Sequence, residues 1–101
     1  MSDCIFCKTL PKVLENHLAY AVNDIKPLSK GHMLFIPKRH HTAILESTPE
    51  EIIAVFDLIN KAKQLLDKEH QPDGYNVQAN CGSAAGQIVM HAHVHLIPRY
   101  R

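Results

Sequence analysis

An α+β fold follows from three observations on this 101-residue chain. Apolar residues recur at spacings of three and four from Ile52 through Val55, Phe56, Ile59 and Ala62 to Leu66, the pattern of one buried helix face. Short apolar or alternating stretches flank that segment, at 17–25 and 32–38 before it and at 75–80 and 87–98 after it. Turn-forming residues separate these stretches, so a long helix packed on an antiparallel sheet is the predicted architecture.

The elements follow in order. "HLAYAVNDI" carries Leu18, Tyr20 and Val22 on alternate positions and suits a strand. "NDIKPLSKG" is a turn region punctuated by Pro27 and Gly31. "HMLFIPK" is apolar and ends at Pro37, a second strand. Thr48-Pro49-Glu50-Glu51 starts the helix: Thr48 can cap, Pro49 suits the first helical position and Glu51 completes a capping box. The helix is predicted over Thr48–Glu69 and "HQPDG" ends it. "YNVQAN" alternates as a strand, "CGSAAG" is a loop of small residues, and "QIVMHAHVHLIP" reads as the last and longest strand.

A chain of this length predicts one domain over residues 1–101 and a core whose margin improves on dimerisation. The net charge is +1 and the pI about 7.8, with Lys38-Arg39 the one adjacent basic pair. That balance argues against nucleic-acid binding through a basic surface. No run of eighteen apolar residues predicts a transmembrane helix, and "MSDCIFCKTL" lacks the basic start and apolar run of a signal peptide. Three cysteines, two of them as Cys4-x-x-Cys7, make a poor disulfide framework. They fit a reducing, cytoplasmic setting in which such a pair holds metal or does redox work.

The segment "MHAHVHLIP" places His91, His93 and His95 at every second position. On a strand they share one face, with Ala92, Val94 and Leu96 on the other. A solvated face is one reading. A single metal held by all three is another, made awkward by the roughly 13 Å between His91 and His95 along a strand. A third is division of labour, because imidazole is both a neutral nucleophile and a cationic donor near neutral pH. "NCGSAAGQ", just before, supports the third: Gly82 and Gly86 allow close backbone approach, backbone amides can cradle an anion, and Asn80 and Gln87 add side-chain amides.

These residues carry a resemblance. "HAHVHLIP" resembles the histidine-triad (HIT) signature, "NDIKPLSKGHMLFIPKRH" resembles the family's N-terminal half, "NCGSAAGQ" its glycine loop, and "CIFC" the opening of its zinc-carrying bacterial members. The resemblance implies a HIT-like fold with about five antiparallel strands, one long helix and a short N-terminal helix, paired into a homodimer with a continuous sheet. It implies a nucleotide hydrolase working through a nucleotidylated histidine. His93 matches the nucleophile, oriented by the His91 carbonyl; His95 matches the residue that contacts phosphate oxygens; His32 matches the family's fourth site histidine. Asn80, Gly86 and Gln87 match the phosphate loop, Asp24 the acid that accepts from ribose hydroxyls, and Ile5, Phe6, Val22 and Ile25 the walls around the base, with a purine nucleotide as the expected substrate. In the zinc-carrying relatives the ligands correspond to Cys4, Cys7, His40 and His91, a closed structural Zn2+ set, with His41 a competing ligand.

One departure stands out. The family usually has Ser or Thr after the Gly-Gln pair, and this chain has Ile88, which can neither donate to phosphate nor relay a proton. The leading expectation is a hydrolase that frees a nucleoside monophosphate from a phosphoramidate, an acyl-adenylate or a dinucleoside polyphosphate. A nucleotidyl transferase and a nucleotide-binding scaffold with vestigial catalysis are the alternatives.

Overall fold

The computed structural model describes residues 4–8 and 10–101. A 3-10 turn over Ile5–Cys7 precedes strands β1 (Leu14–Glu15), β2 (Ala19–Asn23) and β3 (Met33–Pro37). Helix α1 (Pro49–His70) follows, then β4 (Gly74–Gln78) and β5 (Val94–Arg99). The five strands form one sheet in the order β1-β2-β3-β5-β4, with every neighbouring pair antiparallel. The predicted fold class is therefore the observed one, and the two-residue β1 is the strand that the sequence pattern missed.

The helix starts as expected. Thr48 Oγ1 accepts from the Glu51 amide at 3.2 Å, and Glu51 Oε1 accepts from the Thr48 amide at 2.8 Å. Gln71 ends it in the left-handed conformation (φ 50°), and Pro72 after it cannot continue the helix. Glu51 is also buried, and Arg39, two residues past β3, grips its carboxylate with both Nε and Nη2, at 2.9 and 3.0 Å. That guanidinium holds the Glu51 carboxyl down at about 2. One side chain thus caps the helix and ties it to the sheet.

Alternation sorts the strand residues into two cores. Ala19, Ala21, Met33, Phe35, Val94 and Leu96 face α1 and meet Val55, Leu58, Ala62 and Leu66. Tyr20, Val22, Leu34 and Ile36 point the other way and are covered by Phe6, with Leu10 and Val89 packed against them. The Tyr20 hydroxyl donates to the Phe6 carbonyl, and burial pushes that phenol up to about 12. The site lies on this second face. Gly31 (φ 92°) makes the tight approach before β3: a Cβ there would come within 2.9 Å of Leu66 and 3.1 Å of His70. His70 is thus packed against a turn, while His17 is exposed.

The last strand is shorter than expected. β5 begins at Val94, so His91 and His93 lie on an irregular segment that the ladder does not reach. The cause is in the chain before it: Ala92 donates its amide to the His41 carbonyl at 2.8 Å, which commits that backbone to the 39–48 loop instead of β3. Alternation still holds on β5 itself, where His95 pairs with Leu34 on the second face and Val94 and Leu96 face the helix.

Candidate active site and metal centre

The three in-step histidines have three different surroundings, and each can be read from its second ring nitrogen. A neutral imidazole carries one N–H, so an acceptor at one nitrogen leaves a lone pair at the other. His93 Nδ1 lies 2.7 Å from the His91 carbonyl oxygen, which can only accept. Nδ1 therefore carries the proton, and Nε2 is left as a free lone pair. The ring packs edge-on against Phe6 and His95, with centroids 5.2 Å away in each case.

His91 is fully buried and donates Nε2–H to the Pro37 carbonyl at 2.8 Å. Its Nδ1 lone pair then points to Cys4 Sγ at 3.4 Å, Cys7 Sγ at 3.6 Å and His40 Nδ1 at 3.1 Å. His40 Nδ1 is also 3.2 Å from Cys7 Sγ. One lone pair cannot be hydrogen-bonded to three such groups, but a single ion can be. The four ligand atoms lie within 4.8 Å of one another, the spread expected around a tetrahedral ion with metal–nitrogen bonds of about 2.0 Å and metal–sulfur bonds of about 2.3 Å. The residues present fit zinc. His41 is not a fourth ligand, because both its nitrogens are taken: one faces the Arg39 carbonyl at 2.9 Å and the other Ser47 Oγ at 2.6 Å.

His95 Nδ1 lies 2.9 Å from Nε2 of His32, a residue only 2% exposed. Asp24 Oδ2 is 3.4 Å from the same His32 nitrogen. Burial lowers the pKa of both His32 and His95, so both rings are favoured in the neutral form.

Beside these rings is a cavity of about 300 Å³. All four predicted wall residues (Ile5, Phe6, Val22 and Ile25) line it with Asp24, the predicted ribose acceptor, together with Leu10, Pro11, Asn23 and Leu34. Sequence reasoning missed Leu10 and Pro11, which reach the cavity through the path of the N-terminal segment over the sheet. Phe6 and Asp24 belong both to the cavity and to the histidine group, so the two are contiguous.

The glycine loop departs from expectation in one respect. Gln87 is 4% exposed and its amide serves the loop itself: Oε1 accepts from the Gly82 amide at 2.8 Å, and Nε2 donates to the carbonyls of Thr42 and of Val89. It braces the loop instead of presenting an amide to a ligand. Asn80 Nδ2 donates to the Gly86 carbonyl at 3.3 Å, and Gly86 takes a φ of 91° that favours glycine. Ile88, next along, is 90% exposed.

Comparison with known proteins agrees with this geometry. The HIT domain family matches residues 8–101, and the chain belongs to the HIT family. It is 35% identical to a protein of Arabidopsis thaliana named adenylylsulfatase HINT3, over 97% of this chain and 53% of that protein. It is 38% identical to one of Candida albicans named adenosine 5'-monophosphoramidase HNT1, over 97% of this chain and 71% of that protein. The chain thus spans about half the length of the plant relative. A HIT family protein from Bacillus anthracis superposes with a TM-score of 0.91 at 40% identity, covering 98% of this chain and 74% of that one. A zinc-bound histidine triad family protein from Mycobacterium smegmatis superposes at 0.88 with 28% identity, covering 99% and 77%.

Proposed function

We propose that this protein hydrolyses a purine nucleoside 5'-monophosphate conjugate, an adenosine phosphoramidate or a related adenylate, through a histidine-linked intermediate. The observation that carries this reading is the His93 tautomer: its Nδ1–H is spent on the His91 carbonyl, leaving the Nε2 lone pair free beside a cavity that fits a base. Relatives named for monophosphoramidase and adenylylsulfatase activity support the substrate class.

In this reading the base enters the apolar cavity and Asp24 accepts from the ribose hydroxyls. The His93 Nε2 lone pair attacks the α-phosphorus, the bond to the leaving group breaks with its electron pair, and a phosphorus–nitrogen bond forms. Water then attacks phosphorus, the phosphorus–nitrogen bond breaks, and the pair returns to Nε2. One displacement is divided into two. His95 and the 80–87 loop amides stabilise the phosphoryl oxygens. Zinc held by Cys4, Cys7, His40 and His91 would supply no reactive position, because four protein ligands close its shell. The test is turnover of a fluorogenic adenosine phosphoramidate by zinc-loaded protein. Release of AMP supports the reading, and failure to release AMP, with or without AMP binding, counts against it.

A second reading, a nucleotide-binding scaffold with weak catalysis, is favoured by Ile88, which puts an exposed apolar side chain where a hydroxyl would assist the leaving group. AMP binding without turnover supports it. A homodimer belongs to either reading: β4 is an edge strand with Val77 49% exposed, and α1 exposes Ile53 and Phe56, one turn apart.

A further inference from the structure

Asp24, His32 and His95 offer two imidazoles and a carboxylate whose ligand atoms lie within 4.8 Å of one another, a donor set that could hold a metal as readily as the cysteine cluster does. The two clusters differ at the nitrogen facing away from the centre. In the cysteine cluster, His91 meets a carbonyl on its far side, which takes a proton and leaves the lone pair inward. In the other cluster, the far nitrogen of His32, Nδ1, meets the backbone N–H of Leu28 at 3.1 Å. That amide can only donate. The proton of His32 must therefore sit on Nε2, inside the cluster, where it points to His95 Nδ1.

We infer that the backbone N–H of Leu28 is a positioning group. It fixes His32 as the Nε2–H tautomer, fills His95 Nδ1 with that proton so that His95 presents Nε2–H outward, and closes the Asp24–His32–His95 trio to metal.

The local chain is built to hold this amide in place. The His32 amide donates to the Ser29 carbonyl at 3.2 Å, and the Asp24 amide donates to the His32 carbonyl at 3.0 Å, closing the 24–32 loop at its base. Asp24 Oδ1 accepts from the Lys26 amide at 2.9 Å, and Ser29 Oγ donates to the Pro98 carbonyl. The side chain of Leu28 is 65% exposed, so the contribution of this residue to the site is its N–H. A metal at His32 Nε2 would drive the ring proton to Nδ1, setting two donors against each other at 3.1 Å. Ionising His32 would do the same, in line with the lowered pKa that burial and the charge of Arg99 produce against the opposing pull of Asp24. The consequence for catalysis rests on the reading of His95 as the phosphoryl contact. A fixed donor there selects an anionic oxygen, and because Asp24 Oδ2 competes at 3.4 Å for the same His32 proton, ribose hydroxyls on Asp24 would release that proton wholly to His95.

The test is long-range 1H–15N correlation on zinc-loaded protein with labelled histidine. The expected result is an unprotonated Nδ1 and a protonated Nε2 on both His32 and His95; a protonated Nδ1 on His32 overturns the inference. An amide-to-ester exchange at residue 28 deletes the N–H alone. It should give His32 a mixture of tautomers, lower kcat on the order of tenfold with KM little changed, as for one weakened donor, and admit a second Co2+ per chain that lacks a thiolate charge-transfer band. Leu28→Ala keeps the N–H and should keep the tautomer. Wild-type tautomers in the ester protein overturn the inference; should that protein not fold, the wild-type spectrum decides alone. If AMP moves neither His93 nor His95 resonances in the wild-type protein, the nucleotide reading fails while the tautomer assignment is judged by its own signals.

Discussion

The His93 ring and the His91 carbonyl, joined by a 2.7 Å hydrogen bond, place a free imidazole nitrogen and a fully buried imidazole two residues apart on one short irregular segment. His91 looks inward to Cys4 and Cys7 while its own carbonyl aims the neighbour outward. Orientation of the His93 ring is thus inherited from a residue that also faces the Cys4–Cys7–His40 group.

His93→Ala should abolish turnover of an adenosine phosphoramidate and leave AMP affinity within about threefold, because the cavity walls and Asp24 lie elsewhere. His95→Ala should lower both turnover and affinity. Calorimetry with AMP beside a fluorogenic assay separates the two variants, and acid-quenched mass spectrometry of wild-type protein should find nucleotide mass on the His93 peptide. Wild-type turnover in His93→Ala would refute the assignment.

Removing the metal should loosen the N-terminal segment. A zinc held by Cys4, Cys7, His40 and His91 would have thiolate and neutral imidazole ligands, so acid or a chelator should release one ion per chain with a fall in Tm. Phe6 and Ile5 ride on the same segment, so AMP affinity should fall as well. Metal analysis of a Cys4→Ala, Cys7→Ala double variant should read no bound zinc; an unchanged content would show that the ion sits elsewhere.

The reach of the sequence differs from element to element. The helix was legible to within a residue because Thr48, Pro49 and Glu51 encode its start locally and its apolar stripe is long. The expectation that the three histidines share one strand face held only for His95, since His91 and His93 precede β5, whereas the Cys4, Cys7, His40 and His91 group was named from the resemblance and is brought together by the fold. What the pattern could not give depends on tertiary hydrogen bonds. The truncation of β5 at Val94 comes from the Ala92–His41 backbone contact, and the exclusion of His41 comes from Arg39 and Ser47. Gln87 is a brace because Thr42, forty-five residues away in sequence, supplies an acceptor. The Leu28 amide carries no sequence signal at all, since any residue but proline provides one.

Ile88→Ser should raise the rate of leaving-group departure, by about tenfold if a hydroxyl contact of ordinary strength is restored. Pre-steady-state kinetics should place the gain in formation of the intermediate and not in its hydrolysis. No gain would assign the exposed Ile88 to some other contact.

Glu51 should make stability depend on acid. The Arg39 guanidinium holds its carboxyl at about 2 in the folded chain against 4.5 for a free glutamate. A depressed carboxylate contributes stability that is present in full above the unfolded value and is lost as pH falls from about 4.5 toward 2. Glu51→Gln should flatten that part of the Tm-against-pH curve and cost about 1 kcal/mol at neutral pH, a modest figure because the Arg39 side chain is half exposed.

Sedimentation at micromolar concentration should give a dimer, and Phe56→Lys should dissociate it. A monomer for the wild-type chain would refute the pairing.

The four candidate zinc ligands also have a temporal order. Synthesis runs from the N-terminus, so Cys4 and Cys7 leave the ribosome before His40, and His40 before His91. The clasp that would join them spans eighty-seven residues from Cys4 to His91, and His93 follows only two residues after its last member. A nascent chain can offer two thiolates early, but His93 gains the carbonyl that aims it only once His91 has been made. Completion of the four-ligand cluster and the aiming of His93 are, for this topology, one event of biosynthesis, and a chain cut short before His91 would have neither.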